Sequence, residues 1–276
     1  MARASVRKTL RASGESFALV DVDPSAHPGV KNKLAAAPQV DALAELLFGL
    51  QERLYAEHTR GLLLVLQGMD TCGKDGAVKQ VVGAFNPGGV RITSFKAPTD
   101  IEKRHHFLWR IRRALPGPGD IGVFNRSHYE DVGIVKVHGW APAETIERRY
   151  AEITRFENQL AQAGVRLVKC FLHISYDEQR ERLLARLDDP TKHWKFKAGD
   201  LDERARWGDY MAAYETAIAR CNTDAAPWYV IPADRKWYRD WAVSRLLLET
   251  LTELDPRYPD THLDVKAMRR RLSPPR

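Results

Sequence analysis

Residues 62–85 read LLLVLQGMDTCGKDGAVKQVVGAF, and three patterns follow one another in that order. Leu62 to Leu66 is a nearly continuous apolar run, the signature of a strand buried on both faces. Gly68 to Lys74 then has the spacing G-x-x-x-x-G-K. Ala77, Val78, Val81, Val82 and Phe85 recur at helical spacing after it. Strand, glycine loop and helix together are the context of a phosphate-binding loop. Glycines let the backbone wrap closely, so that its N–H groups converge on a phosphate. The helix N-terminus adds roughly half a positive charge, and Lys74 adds a full one.

The stretch departs from the usual loop at one position. Ser or Thr normally follows the lysine and offers its hydroxyl to magnesium; here Asp75 follows. Asp70 lies inside the loop, where a phosphate would repel it unless a cation stood between them. Asp70 therefore reads as a magnesium ligand or a base beside the transferred phosphoryl group, with a loop-capping role as the alternative. Cys72 reads equally as a small filler or a reactive thiol.

Composition narrows the class. At 276 residues, 44 % apolar and 29 % charged, the chain is an ordinary globular sequence with room for a large core. A net charge of +7 suits an acidic partner: a nucleotide, nucleic acid, membrane surface or other polyanion. Cys72, Cys170 and Cys221 show no paired spacing, which predicts a reducing compartment, the cytoplasm, and no disulfide framework. No apolar run approaches the roughly 18 residues of a membrane span, and no signal peptide is visible.

Working outward, residues 1–35 are polar with scattered Pro, Arg and Lys and predict an extended arm over the surface. Val40 to Glu57 places Leu43, Leu46, Leu47, Leu50 and Leu54 on one helical face. Downstream, Val90 to Phe95, Ile121 to Phe124, Arg166 to Ile174 and Trp228 to Ile231 read as strands. Helices are expected at Asp100–Leu115, Glu144–Ala163, Glu178–Leu187, Glu203–Cys221 and Lys236–Glu253. Residues 256–276 read as a loose tail. The alternation argues for one domain over residues 36–255, built on a parallel sheet covered on both faces. In such sheets ligands bind beyond the carboxyl ends of the strands.

Two further constellations face that edge. Asn125-Arg126-Ser127-His128-Tyr129-Glu130-Asp131 follows a strand, a Walker B arrangement with Glu130 and Asp131 as candidate carboxylates and Arg126 as a phosphate fork. His128 could contact phosphate or simply pack. Arg182, Arg186, Lys192, Lys195, Lys197 and Arg204 fall within 23 residues, with Trp194 and Phe196 among them. Interrupted by Pro190 and Gly199, this group reads as a mobile lid over about residues 186–207 that closes on phosphate and excludes water. His105 and His106 have no metal-ligand spacing and read as surface residues.

Taken together these residues resemble the polyphosphate kinase 2 family over about Leu43 to Glu253. GMDTCGKDG at 68–76, FNRSHYEDV at 124–132, RLDDPTKHWKFKAGDLDERARW at 186–207 and APWYVIPADRKWYRDW at 226–241 carry the resemblance. It implies an α/β fold, a P-loop kinase-like three-layer α/β/α sandwich with a helical lid, similar to thymidylate kinase. It also implies transfer of a phosphoryl group between inorganic polyphosphate and AMP or ADP, dependent on Mg2+ or, in its place, Mn2+. On the resemblance Asp70 and Asp131 would hold the metal, Lys74 and Arg126 the phosphates, and Arg186 the lid contact. Nucleotide and phosphate binding would extend to Gly68, Met69, Thr71, Cys72, Gly73, Asp75 and Gly76 of the loop, to Glu130, and to Arg182, Lys192, Lys195, Lys197 and Arg204. Glu130-Asp131 resembles the subgroup that accepts both AMP and ADP, and the family implies a homodimer or homotetramer. Polyphosphate accounts for the positive charge with neither nucleic acid nor membrane as partner. The rival readings are an ATP-dependent kinase of a nucleoside monophosphate or small metabolite, and a non-catalytic polyanion-binding protein.

Overall fold

The computed structural model describes residues 5–12 and 17–273. Helix α1 (Val6–Leu10) and α2 (Lys33–Glu57) precede β1 (Gly61–Gln67), which feeds α3 (Lys74–Ala77) and a π-helical turn at Val78–Val82. Then come β2 (Val90–Ser94), α4 (Asp100–Lys103), α5 (Trp109–Arg113), β3 (Ile121–Asn125), α6 (Ile134–Val137) and α7 (Ala143–Gln162). The chain continues through β4 (Val165–His173), α8 (Tyr176–Leu187), α9 (Gly199–Ala205), α10 (Trp207–Arg220), β5 (Trp228–Pro232), α11 (Lys236–Leu254) and α12 (Val265–Leu272).

The five strands form one sheet in the order β2-β3-β1-β4-β5, and all four pairings are parallel. Every residue of β1 is buried, as its unbroken apolar run requires of a strand covered on both faces. Helices α2, α3 and α11 pack together, while α6, α7 and α10 form a second group. From β1 the chain passes to β2 and back to β3 on one side of it, and the connection from β3 to β4 then crosses to the other side. The loop after β1 sits at that divergence. Register places Leu66 opposite both Asn125 and Cys170, so the carboxyl ends of β1 and β3 are level, while β4 continues to His173 beside β5.

Several local expectations are corrected. The helix expected over Asp100–Leu115 is two short ones. His106 Nδ1 accepts the Leu108 N–H at 3.3 Å and the His105 ring stacks on Trp109 at 4.1 Å, so side chains interrupt the backbone ladder between them. The helix expected over Glu203–Cys221 breaks at Arg206, leaving Glu203 on α9. Helix α2 starts at Lys33, capped by Asn32, and runs through Pro38; Leu46 on it is exposed rather than buried. The π turn keeps Ala77, Val81, Val82 and Phe85 buried.

The N-terminal segment is not merely an extended wrap. Val6, Leu10 and Leu19 enter the core. Glu249 on α11 accepts from Ser5 Oγ and from the Val6 and Arg7 N–H groups at 2.7–3.1 Å. Ala12 N–H donates to Trp228 O at 2.9 Å and Arg11 bridges Tyr229, so this segment covers the edge of β5. The C-terminal tail contains α12, which buries no residue. Residues 1–4, 13–16 and 274–276 of the expected arm and tail lie outside the described residues.

Candidate active site

The loop after β1 closes because its glycines take backbone that a Cβ would block. Gly68 has φ +148, and an added Cβ would lie 2.5 Å from Leu172 O. Gly73 has φ +99 and stands immediately before α3. Thr71 (φ +61) and Arg126 (φ +63) are held left-handed without being glycines, one in each of the two loops that face each other. Lys74 is buried; its Nζ donates to Gly68 O at 2.9 Å and Met69 O at 3.2 Å and lies 3.3 Å from Cys72 Sγ. The ammonium thus shapes the loop from inside. Cys72 is fully buried and serves as filler, not as an exposed thiol.

A cavity of about 970 Å³ opens over this loop. Thr71, Gly73, Lys74 and Asp75 line its floor, and Arg186, Lys192, Lys195 and Lys197 line the side built by α8 and the lid. Lys96 after β2, and Lys236 and Arg239 on α11, complete a cationic wall that the sequence reading did not assign. A second cavity of about 170 Å³ lies behind, lined by Gly68, Met69, Glu130, Gln179, Glu203 and Tyr214 among others. Asp70 and Arg126 line both. Arg126 is largely removed from solvent, which works against its charge, but Glu130, Tyr214 and Asp70 outweigh this and raise its pKa. Its guanidinium lies 3.9 Å from Glu130. Arg186 reaches Asp70 at 3.4 Å and Asp200 at 3.6 Å, linking lid to loop.

Other assigned residues stand elsewhere. Asp131 lines neither cavity. It sits about 4 Å from Arg110 and Arg149, and burial raises its pKa against the pull of those two cations. Arg182 spends its donors on Glu178, Thr71 O, Ala233 O and Asp234 O, clamping the loop to α8 and to the segment after β5. Its fork is therefore not free for phosphate, although its side chain lines the cavity. Arg204 stacks over Tyr176 at 3.4 Å and donates to Tyr176 O and Gln179 Oε1, away from the large cavity. Asp75 accepts from Asn125 Nδ2 at 2.6 Å. Gly76, like Gly73, lies against Arg239.

His128 packs in the core. Its Nε2 lies 3.2 Å from Glu157 Oε1. Lys169 Nζ donates to Glu157, Tyr129 OH and Cys221 O at 2.6–2.8 Å, and Lys169, Glu157 and His128 are all solvent-inaccessible. Burial raises the Glu157 pKa, yet Lys169 and His128 more than reverse this and hold the carboxyl below its usual range.

Of the candidate carboxylates, Asp70 and Glu130 line the small cavity and would be the ones to hold a divalent cation there, whereas Asp131 does not line it. Among the described residues no three His, Cys, Asp or Glu side chains form a metal cluster. Magnesium suits such a place, since it takes one or two carboxylates and completes its shell with water and phosphate oxygens.

A parallel sheet with a lysine-bearing glycine loop beyond its central strand, facing a cationic lid, defines a P-loop kinase-like protein. The profile of the family described as Polyphosphate kinase 2 matches residues 31–259, and the chain belongs to that family. It is 48 % identical over 237 residues to an AMP/ADP-polyphosphate phosphotransferase of Meiothermus ruber, covering 86 % of this chain and 88 % of that one. It is 45 % identical to an ADP-polyphosphate phosphotransferase of Rhodopseudomonas palustris, covering 79 % of each. A crystal structure of Polyphosphate Kinase 2 from Arthrobacter aurescens superposes with a TM-score of 0.95 at 50 % identity, covering 98 % of this chain and 97 % of that one. Among the described residues no helix is long and apolar enough to cross a membrane.

Proposed function

We propose that the protein transfers a phosphoryl group between inorganic polyphosphate and AMP or ADP, with magnesium as the metal. The observation that carries this reading is a pair of cavities of opposite character that meet at Asp70 and Arg126. A chain of phosphates suits the large one, where Lys96, Lys192, Lys195, Lys197 and Lys236 repeat positive charge along an open path. The terminal phosphate of a nucleotide suits the other side, near Glu130. Names of relatives that act on AMP and ADP, and the Glu130-Asp131 pair, support both acceptors.

Lys74 then gives up part of its bonding to Gly68 O and Met69 O to meet the phosphate nearest the loop, while backbone N–H groups of Gly73 and its neighbours wrap it. Arg126 lies between donor and acceptor and neutralises charge on the moving group. Arg186 follows the lid and releases Asp70 and Asp200 in favour of phosphate oxygens. Asp70 and Glu130 would hold magnesium, which supplies charge neutralisation between the two substrates. Alignment and electrostatic stabilisation suffice for phosphoryl transfer, so no protein nucleophile is needed.

Self-association accompanies this reading: Phe48 and Tyr55, exposed two turns apart on α2, offer an apolar contact between copies, and light scattering measures it. Three unpaired cysteines support a cytoplasmic setting. The decisive assay mixes protein, magnesium and polyphosphate with AMP, ADP, GMP or GDP and resolves products by chromatography. ATP from ADP, and ADP then ATP from AMP, is the expected result. Transfer from ATP to a monophosphate with none from polyphosphate would replace the donor in this reading.

A further inference from the structure

Arg239 is 4 % exposed, yet it lines the large cavity. It comes from α11, more than 160 positions beyond the loop it touches. Its guanidinium fills the space where side chains at two loop glycines would stand. A Cβ at Gly73 would collide with Nη1, and one at Gly76 would lie 2.8 Å from Nη2. Asp240 fixes the orientation: its Oδ1 accepts from Arg239 Nε at 2.9 Å and from Nη2 at 2.7 Å. That leaves Nη1, whose two hydrogens have no acceptor among the described residues. Nη1 is the nitrogen on the Gly73 side.

A buried guanidinium with one edge satisfied and the other turned to a cavity of phosphate-binding character calls for an anionic oxygen. We propose that Arg239 is a substrate-binding residue that donates from Nη1 to a phosphate of the polyphosphate chain seated over the loop, with Asp240 as its positioning residue. The assignment rests on the reading of the large cavity as the polyphosphate side. It gives the loop glycines a second purpose: Gly73 and Gly76 make room for a cation from another element, not only for backbone wrapping. The phosphate is then held from three directions, by Lys74 within the loop, Arg186 from the lid and Arg239 from α11.

The test uses the full chain and Arg239→Gln, Arg239→Lys and Asp240→Asn variants. Loss of one charge-assisted bond to phosphate predicts that Arg239→Gln raises KM for polyphosphate by about tenfold to a hundredfold. KM for the nucleotide should stay within about twofold. Arg239→Lys, which keeps charge without the fork, should recover part of the loss, and Asp240→Asn should reproduce a smaller version of it. Equal rises in both KM values together with a lower melting temperature would assign Arg239 to packing of the loop and overturn the proposal. Calorimetric titration with inorganic tripolyphosphate, without nucleotide, separates this from the functional reading. Binding by the parent and weaker binding by Arg239→Gln upholds the assignment even if no nucleotide accepts the phosphate. Equal binding by both, or none by the parent, overturns it.

Discussion

Asp75 Oδ1 accepts a 2.6 Å hydrogen bond from Asn125 Nδ2, joining the first turn of α3 to the last residue of β3. The residue that replaces the usual Ser or Thr is therefore a tie between the two loops of the site. It sets the spacing between Lys74 on one loop and Arg126 on the other. Asp75→Ala should cost only about 1 kcal/mol of stability, because the pair is exposed. It should nonetheless lower kcat/KM by about tenfold through misalignment of the facing loops. Chemical denaturation and steady-state kinetics on one preparation check both halves.

On the proposed reading, Lys74→Ala removes a charge at the transferred phosphate, and it also removes the ammonium bonds to Gly68 O and Met69 O. A loss of about 100-fold to 1000-fold in kcat is expected, the magnitude seen for removal of one preorganised transition-state donor. An unchanged kcat would place the transferred phosphate elsewhere.

The lid lysines Lys192, Lys195 and Lys197 are exposed and line the large cavity. Replacing all three by Ala should raise KM for polyphosphate and flatten its dependence on salt, because screened surface charge supplies this attraction. KM for ADP should change little. Kinetics at two salt concentrations distinguish the substrates.

The buried Lys169–Glu157 pair makes a different kind of prediction. Lys169→Met strands the Glu157 carboxylate in the core and should destabilise the protein by about 3–5 kcal/mol. Adding Glu157→Leu in the same chain should restore much of that loss. Urea denaturation midpoints of the single and double variants decide it.

Glu57 gives a pH signature. The Arg60 side chain, aided by Thr59 and the Arg257 N–H, lowers its pKa from 4.5 to about 2 despite some burial. A carboxyl depressed on folding stabilises the native state above its unfolded pKa and loses that contribution as pH falls through the folded value. The melting temperature of Glu57→Gln should therefore lie below that of the parent at pH 7. The gap should narrow as pH drops from about 4.5 towards 2, and screening keeps it near 1 kcal/mol or less.

Much of the site was legible locally. Gly68, Gly73 and Lys74 announce themselves because a phosphate loop needs its glycines and lysine at fixed spacing. β1 is equally plain, since five apolar residues in a row directly before a glycine loop suit a short strand covered on both faces. That Arg182 and Arg204 donate to Thr71 O and Tyr176 O was not legible, because composition cannot distinguish a free guanidinium from one already bonded. The surroundings of Asp131 were hidden for a related reason: one residue along a short 3-10 turn separates Glu130, which lines a cavity, from Asp131, which faces Arg110 and Arg149. Arg239 lies in the 226–241 stretch that carries the resemblance, but nothing local assigned it to phosphate, since its partners Gly73 and Gly76 lie in a distant stretch of sequence.

The sequence by itself determined the alternating α/β order, the phosphate loop after β1 and the positive lid, all properties of period, spacing and charge within short windows. The tertiary structure alone decided which guanidinium donors are already engaged, that Glu130 rather than Asp131 lines a cavity with Asp70, and that α11 brings Arg239 onto the loop. Those outcomes depend on long-range packing, where the level carboxyl ends of parallel strands and the helix against them bring distant residues within hydrogen-bond reach.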